Sequence, residues 1–158
     1  MRLFLVSGVL LLAATSASSQ TVEEPIVVSG VCDPKSGVTV NDSDASQLAC
    51  DTAVITRTQR GTVLIQFTDK LGDDGRILGF AGTIEGKQGF GADSVQMLAV
   101  ERVYLAGGAD PIPASRGSCI MNWSGLHRAG GKLASVLCAA RGQAEGSDIK
   151  AVAVLKSQ

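Results

Sequence analysis

The residues best suited to chemistry gather in one stretch, Gly117 to Ala140, which carries Cys119, Trp123, Ser124, His127, Arg128, Lys132 and Cys138. Ser124 beside His127 suggests a nucleophile and its base. A serine hydrolase, however, places its nucleophile on a strained turn such as Gly-x-Ser-x-Gly, and that motif is absent. No neighbouring acid or oxyanion hole is specified, so His127 reads as a solvated loop histidine. The run from Gly125 to Lys132 imitates a phosphate-binding loop. Its spacing is off by one residue, and Leu133 stands where Ser or Thr should reach magnesium. Asp69, Asp73 and Asp74 imitate a calcium loop, but Phe80 falls where the bidentate acid belongs. Zinc is disfavoured too, because the chain has a single histidine and no Cys-x-x-Cys. No catalytic residue, metal ligand or cofactor is assigned, and the chain is expected not to be an enzyme. Trp123, His127 and Arg128 remain as candidate binding residues at the tip of a hairpin.

Two apolar runs flanking a polar, glycine-rich middle are the sequence form of such a hairpin. Cys119 and Cys138 lie almost equidistant from its centre, so antiparallel pairing would bring them face to face. Cys32 and Cys50 are the remaining pair of an even set of four. The expected bridges are therefore Cys32–Cys50 and Cys119–Cys138. Each closes a loop of about 20 residues, worth roughly 3 kcal/mol in the chain-entropy model.

Disulfides belong to oxidising compartments, and the N-terminus agrees. Arg2 followed by the apolar run Leu3 to Ala14 and the small residues Thr15 to Ser19 has the form of a cleaved signal peptide. The run is too short to span a bilayer, which takes roughly 20 residues. The expected organisation is a signal peptide over 1–19, an extended arm with a disulfide loop over 20–51, and a β-domain over 52–158. Loss of Arg2 takes the formal charge from −1 to −2, unlike the basic footprint of a nucleic-acid binder. A periplasmic or envelope protein is the expected partner class, with oligomeric state left open.

After Asp51 the chain reads as strand-like runs separated by turns: Ala53–Thr58, Thr62–Asp69, Arg76–Ile84, Ser94–Leu105, the two hairpin arms and Asp148–Leu155. Gly79 and Gly82 suggest a bulge or a close backbone approach. Ser43 or Asp44 is placed to cap a short helix running to Cys50. About seven strands with little helix predict an all-β fold, a small antiparallel sandwich or barrel of meander type.

Glu23-Glu24-Pro25-Ile26-Val27-Val28-Ser29-Gly30 resembles the TonB box of Gram-negative outer-membrane receptors, an acidic residue preceding a Val/Ile-rich core. Such receptors continue into a plug and a large barrel, for which this chain is too short. The competing reading is an extended β-segment along the domain's edge. The overall layout is similar to that of uncharacterised secreted proteins of Gram-negative bacteria, and by class to periplasmic lysozyme inhibitors, which are small disulfide-bonded β-barrels. The likeness to these inhibitors is one route to the expected function, a periplasmic interaction module, and the loops near Gly86–Gly91 and Ser124–Lys132 are where it is expected to act. The alternatives are a small-ligand carrier, with Gly79, Ala81 and Gly82 leaving room inside a barrel, and an inhibitor of a cell-wall-active enzyme.

Overall fold

The computed structural model describes residues 24–68, 77–90, 93–105, 110–124 and 131–158. The expected signal peptide, His127 and Arg128 lie outside the described residues. Ten strands follow in order: β1 (Ile26–Cys32), β2 (Gly37–Val40), β3 (Ser46–Gln47), β4 (Thr52–Arg57), β5 (Thr62–Thr68), β6 (Leu78–Phe90), β7 (Asp93–Leu105), β8 (Ile112–Ser124), β9 (Lys132–Ala144) and β10 (Ser147–Ser157).

All ten strands belong to one antiparallel sheet, and the pairing of β1 with both β4 and β10 closes it. The result is a ring in the order β1-β4-β5-β6-β7-β8-β9-β10, with β2 and β3 appended along β10. The choice between sandwich and barrel thus falls to the barrel. The seven runs read from the sequence are β4 to β10. The strand that closes them is the Val-rich arm: Ile26–Ser29 pairs with β4 and Gly30–Cys32 with β10. The arm is therefore a stave of the barrel, held between two strands rather than laid along an edge.

Inward and outward residues alternate, as a closed small barrel requires. Val63, Ile65 and Phe67 of β5, Leu78 and Phe80 of β6, and Met121 and Trp123 of β8 are buried. The Phe67 and Phe80 rings meet edge to face at 5.9 Å. Across the ring from these aromatics, β9 and β10 contribute the small Ala140, Ala151 and Ala153, all buried in the same core. The same two strands also bury Leu133, Val136, Ile149 and Leu155, so large and small side chains together fill the interior.

Both disulfides form as expected, Cys32–Cys50 with Cα atoms 5.2 Å apart and Cys119–Cys138 at 4.0 Å. Cys119 and Cys138 are direct cross-strand partners, and both side chains point into the core.

Three local expectations change. The helix before Cys50 is absent: Ser46–Gln47 is strand β3, paired to Gly37 and Val38. The Leu48 amide donates to the Ser36 carbonyl at 2.8 Å, and the Cys32–Cys50 bridge ties the segment's end to β1. Backbone pairing and the bridge outweigh a weak helical preference. Second, Gly86–Gly89 lies within β6 rather than in a loop, and Pro113 lies within β8, beside register shifts that accommodate a residue without an amide hydrogen. Third, the Ser94–Leu105 run does not keep one alternation of faces along its length. An extra residue, Glu101, interrupts the pairing of β7 with β6. Past that bulge the faces exchange, so Val103 is buried and Tyr104 lies outside.

Candidate functional site

The end of β6 and start of β7, the end of β8 and start of β9, and the β4–β5 turn lie at one end of the barrel, since consecutive antiparallel strands alternate direction. Trp123 belongs to that end, yet it is only 3% exposed and pairs with Ser94 and Leu133 at the inner surface. Its ring is part of the core rather than presented on the loop surface. Of the three candidate binding residues only Trp123 is among the described residues, and its side chain is buried.

The same end carries an interior polar contact. Gln96 is buried at 1%, and its Oε1 accepts a hydrogen bond from an Arg57 guanidinium nitrogen at 2.9 Å. Arg57, Arg60 and Lys87 line a depression of about 490 Å³ between the β4–β5 turn and β6.

A more extensive arrangement lies on the outer wall of β7 to β10. Because consecutive pairs share registers, outward residues form rows that cross the strands. Met97, Ile120, Leu137 and Val154 are successive direct partners, which makes one continuous apolar row. Met97 and Leu137 are 46% and 40% exposed; Ile120 and Val154 are half-buried. On one side lies the polar row Asn122–Ser135–Lys156, with Asn122 Nδ2 donating to Ser135 Oγ at 2.9 Å. On the other lies a row of small residues, Ala99–Ser118–Ala139–Val152. Beyond it comes a cationic row, Arg116–Arg141–Lys150.

The cationic row is set by a local irregularity. Ala114 pairs with Gly142, so an uninterrupted ladder would place Ser115 opposite Arg141. A bulge between Ala114 and Arg116 shifts the register by one residue, and Arg116 faces Arg141 instead. Ser115 is the extra residue, and its hydroxyl donates to the Arg141 carbonyl at 3.1 Å. Gly117 and Gly142 flank the row; a Cβ on Gly117 would lie 2.6 Å from Ala140 Cβ, and one on Gly142 would overlap the Pro113 carbonyl. Both Cβ positions lie on the core side, against Ala140 and Ile112. Two shallow grooves, of about 650 and 490 Å³, run along either side of the three cations.

Lys150 has a carboxylate partner, Asp42, in the turn between β2 and β3. Asn41 and Asp42 both have positive φ, 49° and 57°, a backbone state that Asn and Asp tolerate better than most residues. The turn is anchored to β10: Asn41 N donates to the Asp148 carbonyl at 2.9 Å, and Asp148 N donates to Asn41 Oδ1 at 2.8 Å. Hydrogen bonding and charge from Lys150, with a further contribution from Arg141, hold the Asp42 carboxyl below its ordinary pKa.

The described residues contain no helix long and apolar enough to cross a membrane, and the two disulfides are consistent with an extracellular or otherwise oxidising compartment. No protein-family model matches the chain, and no curated protein or solved structure shows significant similarity to it.

Proposed function

We propose that this chain is an exported, periplasmic interaction module that docks a partner protein on the outer wall of β7 to β10. The observation that carries the reading is the unbroken apolar row Met97–Ile120–Leu137–Val154, with a polar row on one side and, beyond a row of small residues, a cationic row on the other. Four strands at about 4.8 Å spacing, and rows about 7 Å apart, make this row and the row of small residues beside it a patch on the order of 300 Å². That is smaller than the roughly 800 Å² a standard interface buries on each partner. It matches the apolar centre of an interface whose rim is polar.

The partner commits itself by charge. It presents an apolar surface with acidic residues along one side, complementary to Arg116, Arg141 and Lys150. A cell-wall-active enzyme would qualify if it carried such an edge. The face offers guanidinium, ammonium and hydrocarbon groups, which orient and hold a partner rather than move protons near neutral pH. The filled interior weighs against the carrier reading. Gly79 and Ala81 face outward, and Gly82 abuts the Ala99 backbone, so none of them opens interior space.

Co-purification of chemically cross-linked complexes from envelope extract, comparing variants, tests the reading. Met97→Ser with Leu137→Ser is expected to abolish the complex, whereas Leu64→Ser on the far wall retains it. Equal recovery from both variants would refute the docking face.

A further inference from the structure

We infer that Arg116 and Arg141 form a carboxylate-binding subsite that grips an aspartate or glutamate side chain of the partner. This rests on the docking reading above and names the group that the cationic edge recognises.

Two positive side chains directly opposite each other on neighbouring strands repel and destabilise the pairing. Here the bulge creates that juxtaposition, since the unshifted register would set a serine against Arg141. Among the described residues, no carboxylate lies within ion-pair distance of either arginine. The one carboxylate beside them in the groove is Asp148, whose Oδ1 accepts a hydrogen bond from Gln143 Nε2 at 3.0 Å.

The third member of the row shows what the row takes. Lys150 holds the Asp42 carboxylate, and Arg141 contributes to keeping that carboxyl ionised. The chain thus fills one end of the row with its own aspartate and leaves the two guanidiniums facing solvent. Paired guanidiniums present planar donor forks that match an oxyanion in bidentate fashion. The small Ala114, Ser115, Ser118 and Ala139 line the grooves beside the forks, which leaves room there for an incoming group. These concave grooves suit side chains of a protein surface better than a flat lipid headgroup layer.

The test uses the full mature chain with labelled poly-L-glutamate as probe, and buried Trp123 as a fluorescence reporter of folding. Binding should weaken as salt rises. Arg116→Gln with Arg141→Gln should lower affinity about ten-fold, equivalent to about 1.4 kcal/mol. A charge-matched control, Arg60→Gln with Lys87→Gln at the barrel end, should bind as the parent does. Equal losses in both double variants would reduce the effect to net charge and overturn the subsite. Tighter binding of polyphosphate, or of phosphatidylglycerol vesicles, than of poly-glutamate at equal charge would overturn the carboxylate assignment. The docking reading fails separately: it is lost if Met97→Ser with Leu137→Ser leaves the cross-linked complex intact, whatever poly-glutamate does.

Discussion

At Gly82 an added Cβ would overlap the carbonyl oxygen of Ala99, whereas at Gly86 it would meet nothing within 4 Å. Gly82→Val should therefore destabilise the barrel by about 1–3 kcal/mol through forced backbone movement. Gly86→Ala should fall within about 0.5 kcal/mol of the parent. Urea unfolding of the two variants reads the difference, and comparable midpoints would remove the close approach from the account. The Asp42–Lys150 pair makes a second prediction at this scale. Because the folded carboxyl titrates below its ordinary value, the pair's contribution is present above that value and is lost as pH falls through the lowered one. Asp42 is exposed, so the effect belongs in its own titration rather than in global stability. Carboxyl NMR should place Asp42 below an ordinary aspartate and return it upward in Lys150→Gln. An unchanged titration in that variant would remove the ion pair. Of these residues, Gly82 was legible in the sequence, because a glycine inside an apolar run signals close approach. Asp42 and the arginines were not. Their partners lie on strands distant in sequence, and the Arg116–Arg141 pairing depends on a bulge that no periodicity announces.

Among the elements, the two disulfides differ in how the fold shelters them. Cys119 and Cys138 are fully buried in the core between β8 and β9, while Cys32 is half-buried at the end of β1. Thiol exchange requires access of the attacking thiolate. Brief treatment with reductant followed by alkylation should therefore label Cys32 and Cys50 before Cys119 and Cys138, and the reverse order would contradict the packing. Replacing Cys119 and Cys138 together by alanine should cost about 3 kcal/mol from the lost cross-link alone. The β8–β9 hairpin was legible because its cysteines sit symmetrically about a polar loop. Element boundaries were less so. Gly86–Gly89 and Pro113 carry loop composition, yet their backbones are paired by long neighbouring strands. The role of β1 was hidden for a related reason: Val27 and Val31 look like an apolar arm, and only ring closure makes them the outer face of a stave.

For the whole molecule, closure of the ring decides which surfaces can serve recognition. Alternation sends one side of every strand into a filled core, so the outer wall and the ends remain. On β7 to β10 the outer wall sorts into polar, apolar, small and cationic rows, a pattern that exists only once four strands are in register. The sequence shows Met97, Ile120, Leu137 and Val154 as unrelated apolar positions; the barrel makes them neighbours. The most direct measurement of the docking claim is a photo-cross-linking map in envelope extract. A benzophenone side chain is placed in turn at positions 97, 120 and 137 on this wall, and at 54, 64 and 66 on the far wall. One common adduct is expected from the first three positions, suppressed in the Arg116→Gln, Arg141→Gln background, and none from the others. Adducts arising equally from both walls, or from the far wall alone, would contradict the docking claim.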